Sequence, residues 1–348
     1  MIRPDLADIP AYVPGQRQPD GLKLSSNEVT TPPLAAAVEA MSRAAAGANR
    51  YPDMSAEDLR AALAEHLDVD VDQVAVGCGS SALCQQLVQI TATPGDEVIF
   101  AWRSFEAYPI FARAVGATPV AIPLTADDAH DLDAMAAAIT DRTRLIFLCN
   151  PNNPSGTTIS QEEFDSFMAQ VPAEVIVGLD EAYVEYNRAG DTVLATEAIT
   201  RHPNVVGLRT FSKAYGLAGV RVGYTFGAPE IIAALNKLAI PFAVSSVAQA
   251  GAVASLAAAD ELLERTEETV AERDRVAEAL GTRPPRRTSC GCRPRIFTGR
   301  LGATPAELAA RLAEHGVLVR AFPEGVRVTV TTASEADRLL AAWREAGL

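Results

Sequence analysis

The sequence lacks the features that mark a membrane, secreted or nucleic-acid-binding protein. No apolar run reaches the length of a membrane span, and the first residues, MIRPDLADIPAYVPG, do not follow the basic-then-apolar design of a signal peptide. The formal net charge of -14 argues against nonspecific binding to nucleic acid or anionic membranes. We therefore expect a cytoplasmic protein. A chain of 348 residues, 48% of them hydrophobic, is long enough for one large and one smaller packed domain.

Cysteine and histidine are few, and they are not spaced as metal ligands. Among the five cysteines only Cys290 and Cys292 are close together, and no second pair accompanies them. The four histidines are scattered along the chain, at His66, His130, His202 and His315. The sequence therefore predicts no metal site.

Short apolar segments alternate with helix-like ones through the middle of the chain. The apolar segments are 74–76, 97–101, 118–122, 145–149, 175–179, 205–208 and 222–226. This alternation predicts an α/β fold whose mostly parallel sheet is covered by helices on both faces, with the last strand as a candidate for the antiparallel direction. We predict an N-terminal arm at 1–30, a large domain at 31–260 and a small α/β domain at 261–348. Helical spacing also predicts a helix over 55–67 that Ser55 caps.

Four polar stretches each follow a predicted strand, where α/β enzymes place their chemistry. They are GCGSSA at 77–82, NPNNPSG at 150–156, DEAY at 180–183 and RTFSKAYGLAGVRVGY at 209–224. The first lacks the Lys-Ser/Thr ending of a nucleotide P-loop, and alone it is explained by an ordinary helix entry. Taken alone, Asp180 is also explained as a helix cap. Taken alone, Lys213 is explained as well by an ordinary surface loop as by a functional site. The rigid NPNNPSG turn by itself favours a functional loop.

Taken together, the stretches supply the groups that one cofactor needs. Pyridoxal 5'-phosphate requires an anion cradle, a lysine for its aldehyde, a carboxylate for its ring nitrogen and donors for its 3'-oxygen. The candidates, in that order, are Ser80, Ser81, Ser212 and Arg221; Lys213; Asp180; and Tyr183 with Asn153. Phe105 and Tyr108 add aromatic faces. The combination is far more specific than any of its parts.

At these motifs the chain resembles the fold-type I pyridoxal-phosphate aminotransferases, most closely the histidinol-phosphate aminotransferase group and its aromatic amino acid aminotransferase branch. The resemblance runs from about Tyr12 to the C-terminus and implies an aspartate-aminotransferase-like fold. It also implies that Lys213 forms the aldimine and carries a proton between the substrate Cα and the cofactor, while Asp180 keeps the ring nitrogen cationic.

The resemblance assigns the remaining cofactor contacts as well. Tyr183 and Asn153 would bond the 3'-oxygen, and Phe105 would stack on the ring. The phosphate would be held by Ser80, Ser81, Ser212 and Arg221. The motif Arg50-Tyr51-Pro52 matches one whose tyrosine reaches the phosphate of the other subunit, so Tyr51 implies a homodimer with shared active sites.

The substrate residues implied by the resemblance are Tyr12, Asn27, Arg320 and Arg327. Arg327 matches the arginine that grips the substrate α-carboxylate, and Arg320 matches one suited to a substrate phosphate. The stretches LSSNEV, GCGSSALCQQL and WRSFEAYP look more like the aromatic branch. We therefore predict an aminotransferase that moves the amino group of phenylalanine, tyrosine or tryptophan to 2-oxoglutarate by a ping-pong mechanism. Histidinol-phosphate aminotransferase is the alternative; a pyridoxal-dependent decarboxylase, or a cofactor-binding protein with impaired catalysis, stays open.

Residues 284–300, PPRRTSCGCRPRIFTGR, depart from the family pattern, which has an apolar strand here. Shifting the reading frame back by one base allows the codons of Thr288 to Cys292 to encode Asn-Phe-Val-Trp-Leu. We hypothesise a local frameshift that is restored near 299–301, which the coding DNA tests. Arginines in place of a buried strand predict an exposed or distorted segment and a weakened small domain. A harmless lineage-specific loop is the alternative.

Overall fold

The computed structural model describes residues 2, 4–13, 15, 18–281, 292–296 and 303–348. Its strands are β1 (Leu22–Lys23), β2 (Val74–Gly77), β3 (Glu97–Trp102), β4 (Thr118–Pro123), β5 (Thr143–Cys149), β6 (Ile176–Asp180), β7 (Val205–Thr210), β8 (Gly223–Gly227), β9 (Cys292–Ile296), β10 (Val317–Leu318), β11 (Arg320–Phe322) and β12 (Gly325–Thr329). Its α-helices are α1 (Ala35–Ala45), α2 (Glu57–Leu67), α3 (Ser80–Thr91), α4 (Tyr108–Ala114), α5 (Leu132–Ala137), α6 (Gln161–Met168), α7 (Ala195–Arg201), α8 (Pro229–Leu238), α9 (Ser246–Leu256), α10 (Ala259–Ala279), α11 (Pro305–Glu314) and α12 (Ala333–Glu345).

The central sheet has seven strands in the order β2-β8-β7-β6-β5-β3-β4. The neighbours from β7 to β4 pair in parallel, whereas β8 pairs antiparallel with both β2 and β7. This confirms the predicted α/β fold with a mostly parallel sheet and an antiparallel last strand. Because β8 runs in the opposite direction, its first residues lie at the edge where the parallel strands end.

Side chains of the central strands alternate between two apolar layers. On β5, Ile146 and Leu148 pack into one buried cluster, while Leu145 and Phe147 pack into the other. Helices α1, α2, α6, α7 and α9 cover the first face, and α3, α4 and α8 cover the second. Each large apolar side chain buried in this way stabilises the fold by about 1.5–3 kcal/mol. Burial on both faces explains why the strands appear in the sequence as continuous apolar runs.

A second unit at the C-terminal end has its own core. Strands β11, β12 and β9 form a three-stranded sheet in that order, and α11 and α12 contribute Leu308, Leu312 and Leu339 to the core. The N-terminal segment joins this unit, since β1 pairs in parallel with β10 and Leu22 lies in the same core. The domain limits at 1–30, 31–260 and 261–348 remain predictions.

The stretch 284–300 is described only at 292–296, where β9 pairs antiparallel with β12 and the register shifts between Val326 and Val328. The rest of that stretch lies outside the described residues. The frameshift hypothesis therefore remains a prediction.

The predicted cap of α2 is wrong. The residue before the helix is Ala56, not Ser55, and Asp53 supplies the capping carboxylate by accepting a hydrogen bond from the Glu57 N–H at 2.7 Å. That hydrogen bond, with those from Ser55, lowers the pKa of Asp53. A carboxylate before the helix therefore satisfies a backbone donor that the serine was expected to satisfy. None of the helices in the described part of the chain is long and apolar enough to cross a membrane.

Candidate active site

One cavity of about 340 Å³ lies at the edge of the central sheet where β2, β6 and β7 end and β8 begins. Polar residues that follow these strands meet there, although they are far apart in the sequence. The predicted site residues that line the cavity are Tyr12, Asn27, Ser80, Ser81, Phe105, Asn153, Asp180, Tyr183, Ser212, Lys213, Arg221, Arg320 and Arg327. Tyr51 does not line it.

Asp180 is the last residue of β6 and is only 4% exposed. Its Oδ2 accepts a hydrogen bond from the Tyr108 hydroxyl at 2.6 Å, and its Oδ1 accepts one from the Ala182 N–H at 3.2 Å. Burial raises the pKa of Asp180, and these hydrogen bonds offset part of that rise. A carboxylate desolvated in this way is stabilised in its charged form by a cationic donor in the cavity.

The Tyr108 side chain is fixed by a ring contact as well as by its hydrogen bond to Asp180. Its ring stacks on Phe147 with 4.4 Å between ring centroids and an interplanar angle of 3°. Burial, followed by the nearby charge of Asp180, raises the pKa of the Tyr108 hydroxyl well above its usual value, so the hydroxyl keeps its proton and donates a hydrogen bond to the carboxylate. The sequence identified Tyr108 only as an aromatic face. Its pairing with Asp180 was missed, because nothing local indicates a partner 72 residues away.

Lys213 lies between the sheet edge and the N-terminal segment. Its Nζ donates a hydrogen bond to the Asn27 carbonyl oxygen at 3.2 Å and lies 5.5 Å from the centre of the Tyr183 ring. The Tyr183 hydroxyl accepts a hydrogen bond from Asn27 Nδ2 at 2.9 Å. Asn27 thus holds both side chains, and its backbone adopts the left-handed conformation with φ 55°, which asparagine tolerates well.

Arg221 closes the end of the cavity near α3. Its Nη1 donates to Ser212 Oγ at 3.0 Å and to the Ala218 carbonyl oxygen at 2.9 Å. A Cβ atom on Gly79 would lie 2.3 Å from Arg221 Nη2, so only glycine lets the guanidinium approach the start of α3. The backbone of Arg221 itself has φ 61°, which costs a non-glycine residue about 1–2 kcal/mol. Ser80 and Ser81, the first residues of α3, also line this end, so serine hydroxyls, helix N–H groups and a guanidinium form a cradle for an anion.

Arg327 and Arg320 reach the cavity from the C-terminal unit, where they are direct partners across β12 and β11. The Arg327 guanidinium donates to Asn153 Oδ1 at 2.7 Å and to the Ser25 carbonyl oxygen at 2.5 Å, and both acceptors are neutral. Arg320 Nη2 instead donates to the carboxylate of Glu106 at 2.9 Å. Sequence reasoning missed Glu106, which also lines the cavity.

A buried ionic layer lies behind the cavity wall. Glu181, adjacent to Asp180, pairs with Arg209 at 2.7 Å, and both residues are buried. Glu185 lies nearby, and burial raises the pKa of its carboxyl to about 7. None of these three described residues lines the cavity.

Tyr51 lies on the outer surface of the chain and is 82% exposed. Its ring stacks on Phe242 with centroids 4.6 Å apart, and Met54 and Ile240 are also exposed apolar side chains. The position of Tyr51 is therefore compatible with a contact outside its own chain.

The model of the family described as "Aminotransferase class I and II" matches residues 19–342. The chain belongs to this family. The aminotransferase is 68% identical over 343 residues to the aromatic amino acid aminotransferase of Corynebacterium glutamicum strain R, covering 99% of this chain and 98% of that relative. It is 67% identical over 344 residues to the protein of the same name from Corynebacterium efficiens, with the same coverage of 99% and 98%.

Solved structures share the fold of this aminotransferase. Histidinol-phosphate aminotransferase from Sinorhizobium meliloti, in complex with pyridoxal-5'-phosphate, superposes with a TM-score of 0.88 at 28% identity, covering 99% of this chain and 97% of that one. A tetra mutant of Thermus thermophilus aspartate aminotransferase gives a TM-score of 0.84 at 23% identity, with 99% of both chains covered. The resemblance found in the motifs and the expected aspartate-aminotransferase-like fold are thereby confirmed.

Proposed function

We propose that this aminotransferase uses pyridoxal 5'-phosphate to move the amino group of phenylalanine, tyrosine or tryptophan to 2-oxoglutarate. The observation that carries the proposal is the meeting of Asp180, Lys213 and Arg221 around one cavity, with Arg327 opposite them. The relatives at 68% and 67% identity, both named aromatic amino acid aminotransferases, support the class of donor.

The residues of the cavity fit this cofactor. The cradle at Ser80, Ser212 and Arg221 suits a phosphate, and the buried carboxylate of Asp180 suits a protonated ring nitrogen. Lys213 is the amine for the aldehyde, and Tyr183 and Asn153 are donors for the 3'-oxygen. When bound, pyridoxal 5'-phosphate supplies an electron-accepting ring that stabilises negative charge at the substrate Cα.

The chain's own groups would then divide the work. Lys213 Nζ would act as a general base when it takes the proton from the substrate Cα. It would act as a general acid when it gives that proton to the cofactor. Asp180 stays ionised and keeps the ring nitrogen protonated, and the Tyr108 hydroxyl supports that charge by donating to Oδ2. Phe105, which lines the cavity, would stack against the ring.

Arg327 would bind the α-carboxylate of the donor. Its guanidinium is oriented by the neutral oxygens of Asn153 and Ser25, so its positive charge is available to an anion. Tyr12 and Asn27 line the adjacent wall, where the aromatic side chain of the donor would lie.

The active form would be a homodimer in which Tyr51 reaches the cofactor phosphate of the partner subunit. Tyr51, Met54, Ile240 and Phe242 are exposed apolar side chains, and Tyr51 stacks on Phe242; exposed apolar groups of this kind support an interface. Mixing two inactive variants, Lys213→Ala and Tyr51→Ala, tests this, because a mixed dimer has one site with both native residues. Recovered activity supports the shared site, and a mixture as inactive as its components contradicts it. The cytoplasmic location expected from the sequence also remains a proposal, which cell fractionation would test.

The donor is tested by paired kinetics on the cofactor-loaded protein. Phenylalanine and histidinol phosphate are each offered with 2-oxoglutarate, and we expect a higher kcat/KM for phenylalanine. A higher value for histidinol phosphate would move the protein to the alternative function. Carbon dioxide release that does not depend on the 2-oxo acid would identify a decarboxylase, and retained cofactor absorbance without turnover would identify impaired catalysis.

A further inference from the structure

Two carboxylates and three guanidinium groups meet beside β11 and β12. Glu106, Arg320 and Arg327 line the active-site cavity, whereas Arg103 and Glu324 line a neighbouring one. Arg103, Arg320 and Arg327 all approach the ring of Phe322, at 5.2, 5.7 and 5.6 Å from its centroid. The carboxylates come from Glu324, in the turn between β11 and β12, and from Glu106, between β3 and α4.

The pairing of these groups is unequal. Glu324 binds Arg103 through two hydrogen bonds of 2.8 and 3.0 Å. Glu106 binds Arg320 at 2.9 Å and lies 3.9 Å from Arg103. Arg327 has neutral acceptors. Among the described residues of this cluster, Arg327 is therefore the guanidinium whose charge is not compensated by a paired carboxylate.

We propose that Glu106 is a specificity-determining residue, which excludes phosphate-bearing amine donors by neutralising Arg320. The inference rests on the proposed function, and it names the class of donor that the same cavity rejects. An aromatic amino acid brings a single carboxylate, which Arg327 can bind, and a neutral side chain, which needs no second cation. The second carboxylate of 2-oxoglutarate carries one unit of charge, less than a phosphate monoester, so it meets weaker repulsion from Glu106.

A phosphate monoester differs in charge. It carries about -1.5 to -2 at pH 7, and it needs a second cationic partner. In the native protein that partner, Arg320, already holds the carboxylate of Glu106, whose side chain is 29% exposed while that of Arg320 is 17% exposed. An incoming phosphate would have to displace Glu106 and would then lie beside its negative charge. Like charges brought together in a partly desolvated pocket oppose binding strongly.

The test is the ratio of kcat/KM for histidinol phosphate to that for phenylalanine, measured for the loaded native enzyme and for Glu106→Gln. We expect the ratio to rise about tenfold or more in the variant, because the amide keeps the shape of the side chain and removes its charge. Glu324→Gln is the matched control: it removes a carboxylate from the same cluster but not the partner of Arg320, so it should leave the ratio unchanged. Adding Arg320→Gln to Glu106→Gln should abolish the gain.

A binding measurement separates this inference from the proposed function. The compound 3-phenylpropyl phosphate has no amine and cannot react, and calorimetry gives its Kd for each loaded variant. Tighter binding to Glu106→Gln than to native protein and Glu324→Gln supports the inference even where no donor turns over. An unchanged Kd and an unchanged ratio in Glu106→Gln overturn it, as does an equal gain in Glu324→Gln. Should Glu106→Gln fold poorly, Glu106→Asp replaces it, because aspartate keeps the charge on a shorter side chain. We expect this variant to reject the phosphate less strictly than the native enzyme does. Rejection as strict as in the native enzyme counts against the pairing of Glu106 with Arg320.

Discussion

On the central-sheet side of the cavity, Asp180 ends β6, Lys213 follows β7 and Arg221 precedes β8, and these strands are buried on both faces. Tyr108 holds Asp180, and Ser212 holds Arg221. On the opposite side, Arg320 and Arg327 stand on a three-stranded sheet of the smaller unit and are held by contacts that cross between the two units. The comparison indicates that the two sides of the cavity have different roles. The sheet side should determine whether the reaction proceeds, and the opposite side should determine which molecule enters.

The largest effect is expected for Lys213→Ala. Removing the general base should lower kcat by about 10³-fold or more for every donor, because Lys213 is the only lysine among the described residues that line the cavity. Steady-state kinetics with phenylalanine measures it, and Lys237→Ala, at an exposed position of α8, is the matched control. A Lys213→Ala variant that keeps a tenth of native kcat would contradict the role given to the sheet side.

A smaller and more selective effect is expected for Arg327→Lys. Lysine keeps the charge but loses the paired donors, so the KM for phenylalanine should rise about 10–100-fold while kcat changes less. The split between KM and kcat, obtained from full saturation curves, distinguishes the two sides of the cavity. A fall in kcat with an unchanged KM would show that Arg327 takes part in the chemical step, which contradicts the separate roles given to the two sides.

A shift in pH dependence is expected for Tyr108→Phe. Burial raises the pKa of Asp180 and the Tyr108 hydrogen bond partly lowers it again, so losing the hydroxyl should raise that pKa further. Asp180 must be ionised, and activity is lost as the pH falls through its pKa. The acid limb of the kcat profile should therefore move to higher pH. Tyr215→Phe, which alters a buried tyrosine packed on Phe211, should not move it; an identical profile for both variants would show that Tyr108 does not act through Asp180.

The smallest effect on catalysis is expected for Glu185→Gln, behind the sheet side. Burial raises the pKa of Glu185 from 4.5 to about 7, so the folded protein binds the proton more tightly than the unfolded chain does. Stability contributed by the protonated form is present below the unfolded pKa and is lost as the pH rises toward 7. At pH 8 the variant should be more stable by about 3 kcal/mol, with no gain at pH 4. Urea unfolding at both pH values measures this, with exposed Glu264→Gln as the control; equal stabilisation at both would exclude titration of Glu185 as the cause.

The sheet side was the more predictable one from sequence. Continuous apolar runs located the central strands because burial on both faces leaves few alternatives, and the polar residues after those strands then had to meet at one edge. The contacts of Tyr108 with Asp180 and of Glu106 with Arg320 were not predictable. They join residues 72 and 214 positions apart, and no local pattern encodes such pairs. The prediction of the α2 cap was wrong for a similar reason. Aspartate and serine are both common capping residue types, and only the path of the backbone determines that Asp53 caps this helix.

The N-terminal segment has a consequence for how the protein is made. Leu24 and Asn27 hydrogen bond to Thr329, and Asn27 also contacts Lys213. A ribosome that adds about 5–20 residues per second adds Asn27 roughly 15–60 s before it adds Thr329, the hydrogen-bond partner 302 positions later. Throughout that interval the nascent chain cannot assemble the wall of the cavity beside its lysine. Completion of the catalytic pocket therefore waits until Thr329 has been synthesised.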